Sequence, residues 1–146
     1  MFKRGIPFIS ALFLNGYGVD TDENLLCLSG EQYNKLGSGK LQKEDVVICI
    51  RGSLGKYGKY PYDKGDIASS LVIVRLVYTQ GLEVLGNYIM IWLDSTLFLK
   101  EIDKYDGGSV QPNLLAENLK IFLIPLPPID EQKRIVEKLE TLLGKL

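Results

Sequence analysis

Arg51, Lys56, Lys59 and Lys64 crowd one short stretch, "RGSLGKYGKYPYDK", against the single acid Asp63. Tyr57, Tyr60 and Tyr62 are interleaved with them, and glycines stand at 52, 55 and 58. Lysine and arginine neutralise phosphates, tyrosine stacks or hydrogen-bonds, and glycine lets backbone N–H groups approach an anion closely. The stretch therefore suits contact with a nucleic-acid backbone; a solvated loop that is merely basic is the plain alternative. It is not a nucleotide-binding P-loop, because "GSLGK" is too short between its glycines and Tyr57 stands where Ser or Thr is required.

A second polar cluster, "GGSVQPN", offers Ser109, Gln111 and Asn113. Gln and Asn can bind adenine bidentately in the major groove. Asn113 serves equally well as the cap of a following helix, "LLAENLK". The segment "LPPI" (126–129) is similar to the Asn/Asp-Pro-Pro-aromatic motif of adenine methyltransferases. It lacks the leading amide or acid and the trailing aromatic, and no glycine-rich cofactor loop accompanies it. The chain has no histidine, hence neither the commonest general base nor the commonest metal ligand. A zinc site would have to combine Cys27 and Cys49 with carboxylates. Both thiols lie in apolar segments and are expected to be buried and reduced. Nothing here makes a catalytic or metal centre.

These residues need a scaffold, and 146 residues supply one domain with a real core. Composition is that of a globular protein: 46% hydrophobic, 24% charged, formal net charge −1. A free-standing nucleic-acid binder is usually basic, so any such charge must be local or shared with partners. Apolar runs such as "VVICI" and "LVIV" are too short to cross a bilayer, and Pro7 interrupts the apolar N-terminus, so neither a membrane span nor a signal peptide is expected. A cytoplasmic location follows.

The early segment from "LLCLSGEQYNK" to "VVICI" predicts strand, short helix or turn, then a buried strand. "SSLVIVRLVY" (69–78) is a second strong strand. "GNYIMIWLDSTLF" fits a helix by length, with Asn87 as its N-cap. "IFLIPLP" is a last strand or an extended exit. A C-terminal helix starts near Asp130, whose charge, with that of Glu131, complements the helix dipole. Asp130 and Arg134 are spaced to pair. Ile135, Leu139, Leu142 and Leu146 form a heptad-like seam, widened by Val136 and Leu143. That stripe either packs back on its own domain or awaits another helix.

The order of motifs carries a resemblance. "GIPFIS", then "LQKEDVVICIRGSLGK", then "GGSVQPNLLAENLKIFLIPLPPIDEQKRIVEKLETLL" closely resembles the target-recognition domain of type I restriction-modification specificity subunits. Ile124-Pro-Leu-Pro-Pro-Ile129, Glu131-Gln132 and the helix from Arg134 are the most specific piece. The resemblance implies an α+β fold: an irregular mixed β-sheet with short helices over residues 1–128, then a coiled-coil-type helix over 129–146. It also implies a segment ahead of "GIPFI", where only five residues precede Ile6, and a second recognition domain; the chain is expected to be a shortened or half subunit.

By resemblance the chain is a non-catalytic reader of double-stranded DNA. Arg51, Lys56 and Lys59 would position the backbone. Ser53, Tyr57, Ser109, Gln111 and Asn113 would contact bases or the nearby backbone. Ile135, Val136, Leu139, Leu142, Leu143 and Leu146 would meet a modification (methyltransferase) subunit, or a second copy of this chain. A restriction subunit would join the full complex. S-adenosylmethionine, ATP and magnesium would sit on those partner subunits, not on this chain. The alternative is a specificity-subunit fragment that binds or regulates partners without productive DNA reading.

Overall fold

A computed structural model describes residues 5–16, 18–19, 26–76, 85–105 and 114–144. Strand β1 (Ile6–Ile9) and a short 3-10 turn at Ala11–Phe13 open the fold. β2 (Cys27–Leu28) follows and leads into α1 (Gly30–Lys35). Ser29 starts α1 as a reciprocal cap: its hydroxyl accepts from the Gln32 N–H at 3.3 Å, and the Gln32 amide oxygen accepts from the Ser29 N–H at 3.0 Å. β3 (Val46–Cys49), β4 (Tyr57–Lys59), β5 (Ile67–Ala68) and β6 (Leu71–Val74) complete the strands among the described residues.

The strands form two three-stranded sheets. In the first, β1 pairs antiparallel with β2 and parallel with β5, in the order β2-β1-β5. In the second, β3 is central and antiparallel to both neighbours, in the order β4-β3-β6. The α+β class is thus as the sequence predicts, with two sheets, one mixed and one antiparallel, in place of a single mixed sheet. β3 separates two apolar clusters by simple alternation. Val46 and Ile48 face Ile89, Met90, Leu93, Phe98 and Phe122. Val47 and Cys49 face Ile9, Leu14, Leu41 and Tyr60. A run of β-branched residues apolar on both faces is what a strand between two clusters requires.

Cys49 is buried, with its thiol donating to the Arg51 carbonyl at 3.0 Å. Cys27, however, is exposed, contrary to the sequence expectation. It sits on an edge strand only two residues long, where apolar neighbours in sequence do not guarantee cover.

The single helix expected from residue 87 onward is two: α2 (Gly86–Leu93) and α3 (Thr96–Asp103). Ser95 breaks the run by capping α3, its hydroxyl accepting from the Phe98 N–H at 3.4 Å. Asn87 is not the cap of α2. It lies inside the first turn, and its amide oxygen accepts from Lys59 Nζ at 2.7 Å. The short α4 (Ala116–Leu119) begins with the Asn118 amide accepting from the Leu115 N–H at 2.9 Å. The proposed Asn113 cap lies outside the described residues. Residues 122–128 are an extended exit, not a strand.

That exit feeds α5 (Ile129–Leu143), which ends on Gly144 in the left-handed region at φ 60°. Arg134 pairs with Glu131 at 2.6 Å rather than with Asp130, whose carboxylate lies 3.9 Å from Lys133. Among the described residues no helix is long and apolar enough to cross a membrane.

Candidate nucleic-acid interface

The basic stretch is only partly a loop. Residues 51–56 form a tight turn between β3 and β4, closed by Gly55 N–H to the Cys49 carbonyl at 2.9 Å and Cys49 N–H to the Lys56 carbonyl at 2.7 Å. Gly55 has φ 77°, and a Cβ there would come within 3.2 Å of the Ile102 side chain. Gly58 is tighter still: a Cβ would lie 2.3 Å from the Gly18 carbonyl oxygen. Two of the glycines therefore answer to packing and turn geometry, not to an anion. Gly52, at φ 74° in open space, is the one left at the surface.

The same division runs through the charged and aromatic side chains. Arg51 and Ser53 are exposed and Lys56 is half-buried. Among the described residues neither Arg51 nor Lys56 forms an ion pair. Lys59 differs: its ammonium reaches Glu44 at 3.3 Å and the Asn87 amide at 2.7 Å, tying β4 to α2. Tyr57 is only 9% exposed and packs in the cluster around Ile48 and Phe98. Tyr60 is fully buried, its hydroxyl donating to Asp66 at 2.5 Å. Burial and that hydrogen bond push the Tyr60 hydroxyl well above its ordinary range. Tyr62 donates to the Val19 carbonyl at 3.2 Å, with the Lys64 ammonium over its ring at 4.7 Å. The tyrosines that sequence spacing offers as stacking surfaces are thus engaged by the fold itself.

Ser109, Gln111 and Asn113 lie outside the described residues. The next residue, Leu114, has its N–H donating to the Ile50 carbonyl at 3.0 Å. Leu114 is thereby tied to the residue just before the basic turn, from a sequence distance that no local pattern reveals.

Sequence reasoning missed two polar centres. Asp45 is buried and accepts from both Arg75 Nε at 2.8 Å and Arg75 Nη2 at 2.6 Å, a bidentate pair that joins the start of β3 to the end of β6. Gln132 is fully buried in the first turn of α5. Its oxygen accepts from the Leu85 N–H at 3.0 Å and its nitrogen donates to the Pro127 carbonyl at 2.9 Å. The "Glu-Gln" after the prolines was the only sequence signal for it.

The apolar stripe of α5 has two fates. Val136 is 8% exposed, and α5 packs on α2. Ile135 and Leu139 are half-buried. Leu142 and Leu143 stand 64% and 57% exposed, and Leu146 lies outside the described residues.

Comparison with known proteins gives this arrangement a family. The family described as "Type I restriction modification DNA specificity domain" matches residues 2–146. The specificity subunit of the type I restriction enzyme EcoKI of Escherichia coli K12 is 29% identical over 110 residues, which is 75% of this chain and 24% of that protein. The EcoBI specificity subunit of Escherichia coli is 27% identical over 141 residues, 96% of this chain and 29% of that protein. The chain thus spans less than a third of the length of these relatives. The HsdS subunit of Thermoanaerobacter tengcongensis shares the fold, with TM-score 0.70 at 18% identity, over 95% of this chain and 36% of that one. A chain from a structural study of type I restriction-modification complex assembly and conformational transition matches with TM-score 0.71 at 18% identity, over 99% of this chain and 32% of that one. With its family matched from residue 2 to residue 146, this chain belongs to the type I restriction-modification DNA specificity domains.

Proposed function

We propose that the chain reads one half of a bipartite double-stranded DNA target through the β3–β4 turn and the polar segment that precedes Leu114 in sequence. The observation that supports this reading is the hydrogen bond from the Leu114 N–H to the Ile50 carbonyl, which ties the residue after the second polar cluster in sequence to the residue before the basic turn. Arg51 and Lys56 contact phosphates, with Ser53 beside them. Ser109 and Gln111 remain candidate readers of base edges. Lys59 and Tyr57 support the turn from behind rather than touching DNA, since one is held by Glu44 and Asn87 and the other lies in the core.

The module is non-catalytic. Methyl transfer from S-adenosylmethionine belongs to a modification subunit, and cleavage with ATP and magnesium belongs to a restriction subunit. The exposed end of α5 docks the modification subunit or a helix of a second copy, and the assembly works in the cytoplasm. Shared contacts account for a near-neutral chain that binds a polyanion, because coupled modules gain affinity through effective concentration.

The test is duplex binding over a salt series. Replacing both Arg51 and Lys56 with Ala lowers the log–log salt slope by roughly 2, since each phosphate contact contributes about 0.9. Lys59→Ala leaves the slope unchanged and lowers stability instead. An unchanged slope in the Arg51/Lys56 variant removes this turn from the DNA face. Repeating the series with and without the modification subunit separates DNA reading from a purely regulatory role.

A further inference from the structure

Pro125, Pro127 and Pro128 carry no backbone N–H, so the exit segment cannot be held by an ordinary ladder of main-chain donors. The Pro128 carbonyl accepts the first main-chain N–H groups of α5, while those of Pro125 and Pro127 are held by side chains. The Tyr88 hydroxyl, from the first turn of α2, donates to the Pro125 carbonyl at 2.6 Å. Gln132, from the first turn of α5, donates to the Pro127 carbonyl at 2.9 Å. The other end of the Gln132 amide accepts the Leu85 N–H at 3.0 Å, at the start of α2, a helix with no side-chain cap at its own N-cap residue. Tyr88 and Gln132 are 8% and 0% exposed, so these bonds do not compete freely with water.

We propose that Tyr88 and Gln132 are positioning residues that set the exit angle of α5, and through it the separation of the two half-sites that can be read together. The second step rests on the DNA-reading function proposed above. Apolar packing through Val136 is non-directional and lets a helix tilt at small cost. Hydrogen bonds to both sides of a proline segment are directional and do not.

Geometry sets the tolerance. A helix of 15 residues is about 22 Å long. Successive base pairs are about 3.4 Å apart along the duplex. A tilt of roughly 9° at the base therefore moves the far end by about one base-pair step, and a tilt of about 15° moves it by roughly 6 Å. Reading half-sites at a fixed separation needs the exit angle held more tightly than that, and the two clamps are the groups placed to hold it.

The test measures the angle directly. In a Cys27→Ser background, spin labels are attached at Lys43→Cys and Glu140→Cys, both exposed positions, on the domain and on α5. Pulsed-EPR distances then give one narrow distribution for the parent. Gln132→Leu and Tyr88→Phe, singly and together, displace or broaden it by about 6 Å, with circular dichroism like the parent's. Tyr88→Phe keeps the ring in place and remains informative if Gln132→Leu fails to fold. A parent-like distribution in the folded variants overturns the clamp.

A second arm selects duplexes from a library with varied spacer length, using the chain assembled with its modification subunit. The parent enriches one length and the variants accept neighbouring lengths. If distances shift but the spacer preference does not, the half-site part is overturned and the clamp stands. If the parent itself binds no duplex, the failure belongs to the DNA-reading function and the distance data still judge the clamp.

Discussion

The two halves of α5 share one helical pattern and lead different lives. The first half holds the only fully buried amide side chain among the described residues, Gln132, and the buried Val136. The second half carries Leu142 and Leu143 in the open. Apolar residues recur at the same spacing in both, so periodicity alone treats them as one stripe. What divides them is a polar residue on the apolar side, bonded to backbone groups that would otherwise be buried without partners. An amphipathic helix thus anchors by a polar residue and leaves its most apolar end for something else.

The sharpest break of this comparison is Gln132→Ala. It strands the Leu85 N–H and the Pro127 carbonyl, and chemical denaturation should show a loss of about 2–4 kcal/mol. Val136→Ala comes next, at roughly 1–3 kcal/mol by the same measurement. Replacing Leu142 and Leu143 together with Ser should shift monomer stability by no more than about 0.5 kcal/mol. The same variant should lose association with a modification subunit or a second copy in sedimentation. A loss of stability as large as that of Val136→Ala would erase the distinction between the halves.

The smallest effect concerns pH. The hydrogen bond to Arg134 holds the Glu131 carboxyl below its usual range. A folded pKa below the unfolded one means a contribution present above the unfolded value and lost as pH falls through the folded one. Glu131→Gln should therefore flatten, slightly, the acid limb of a stability-against-pH curve. Screening by solvent at this surface pair keeps that change near the limit of measurement.

Legibility in the sequence followed the range of the interaction. The β3 strand, the segment of α1, read as a short helix or turn, and the start of α5 near Asp130 announce themselves through neighbours a few positions away. The split between α2 and α3 was also written locally, in Ser95, yet the apolar run on both sides concealed it. The β4 strand was not legible, because its Tyr-Gly-Lys composition is that of a loop and only Gly18 and the strand opposite give it shape. One partner of Gln132, Leu85, and one of Lys59, Asn87, lie 47 and 28 positions away, where no spacing rule reaches. For the candidate site, the charges were visible and their division into surface and support was not. Arg51 and Lys59 look alike as sequence, and only the fold hands Lys59 to Glu44 and Asn87.

The alternation of β3 has a consequence for how the molecule opens. Val46 and Ile48 belong to one cluster, and Val47 and Cys49 to the other. Neither cluster can come apart while the other keeps β3 in place between β4 and β6. The amides of β3 should therefore exchange with solvent deuterium only when the whole domain unfolds, setting the slowest clock in the chain. The two clusters then constitute a single cooperative unit, and a partner that grips either one slows the breathing of both.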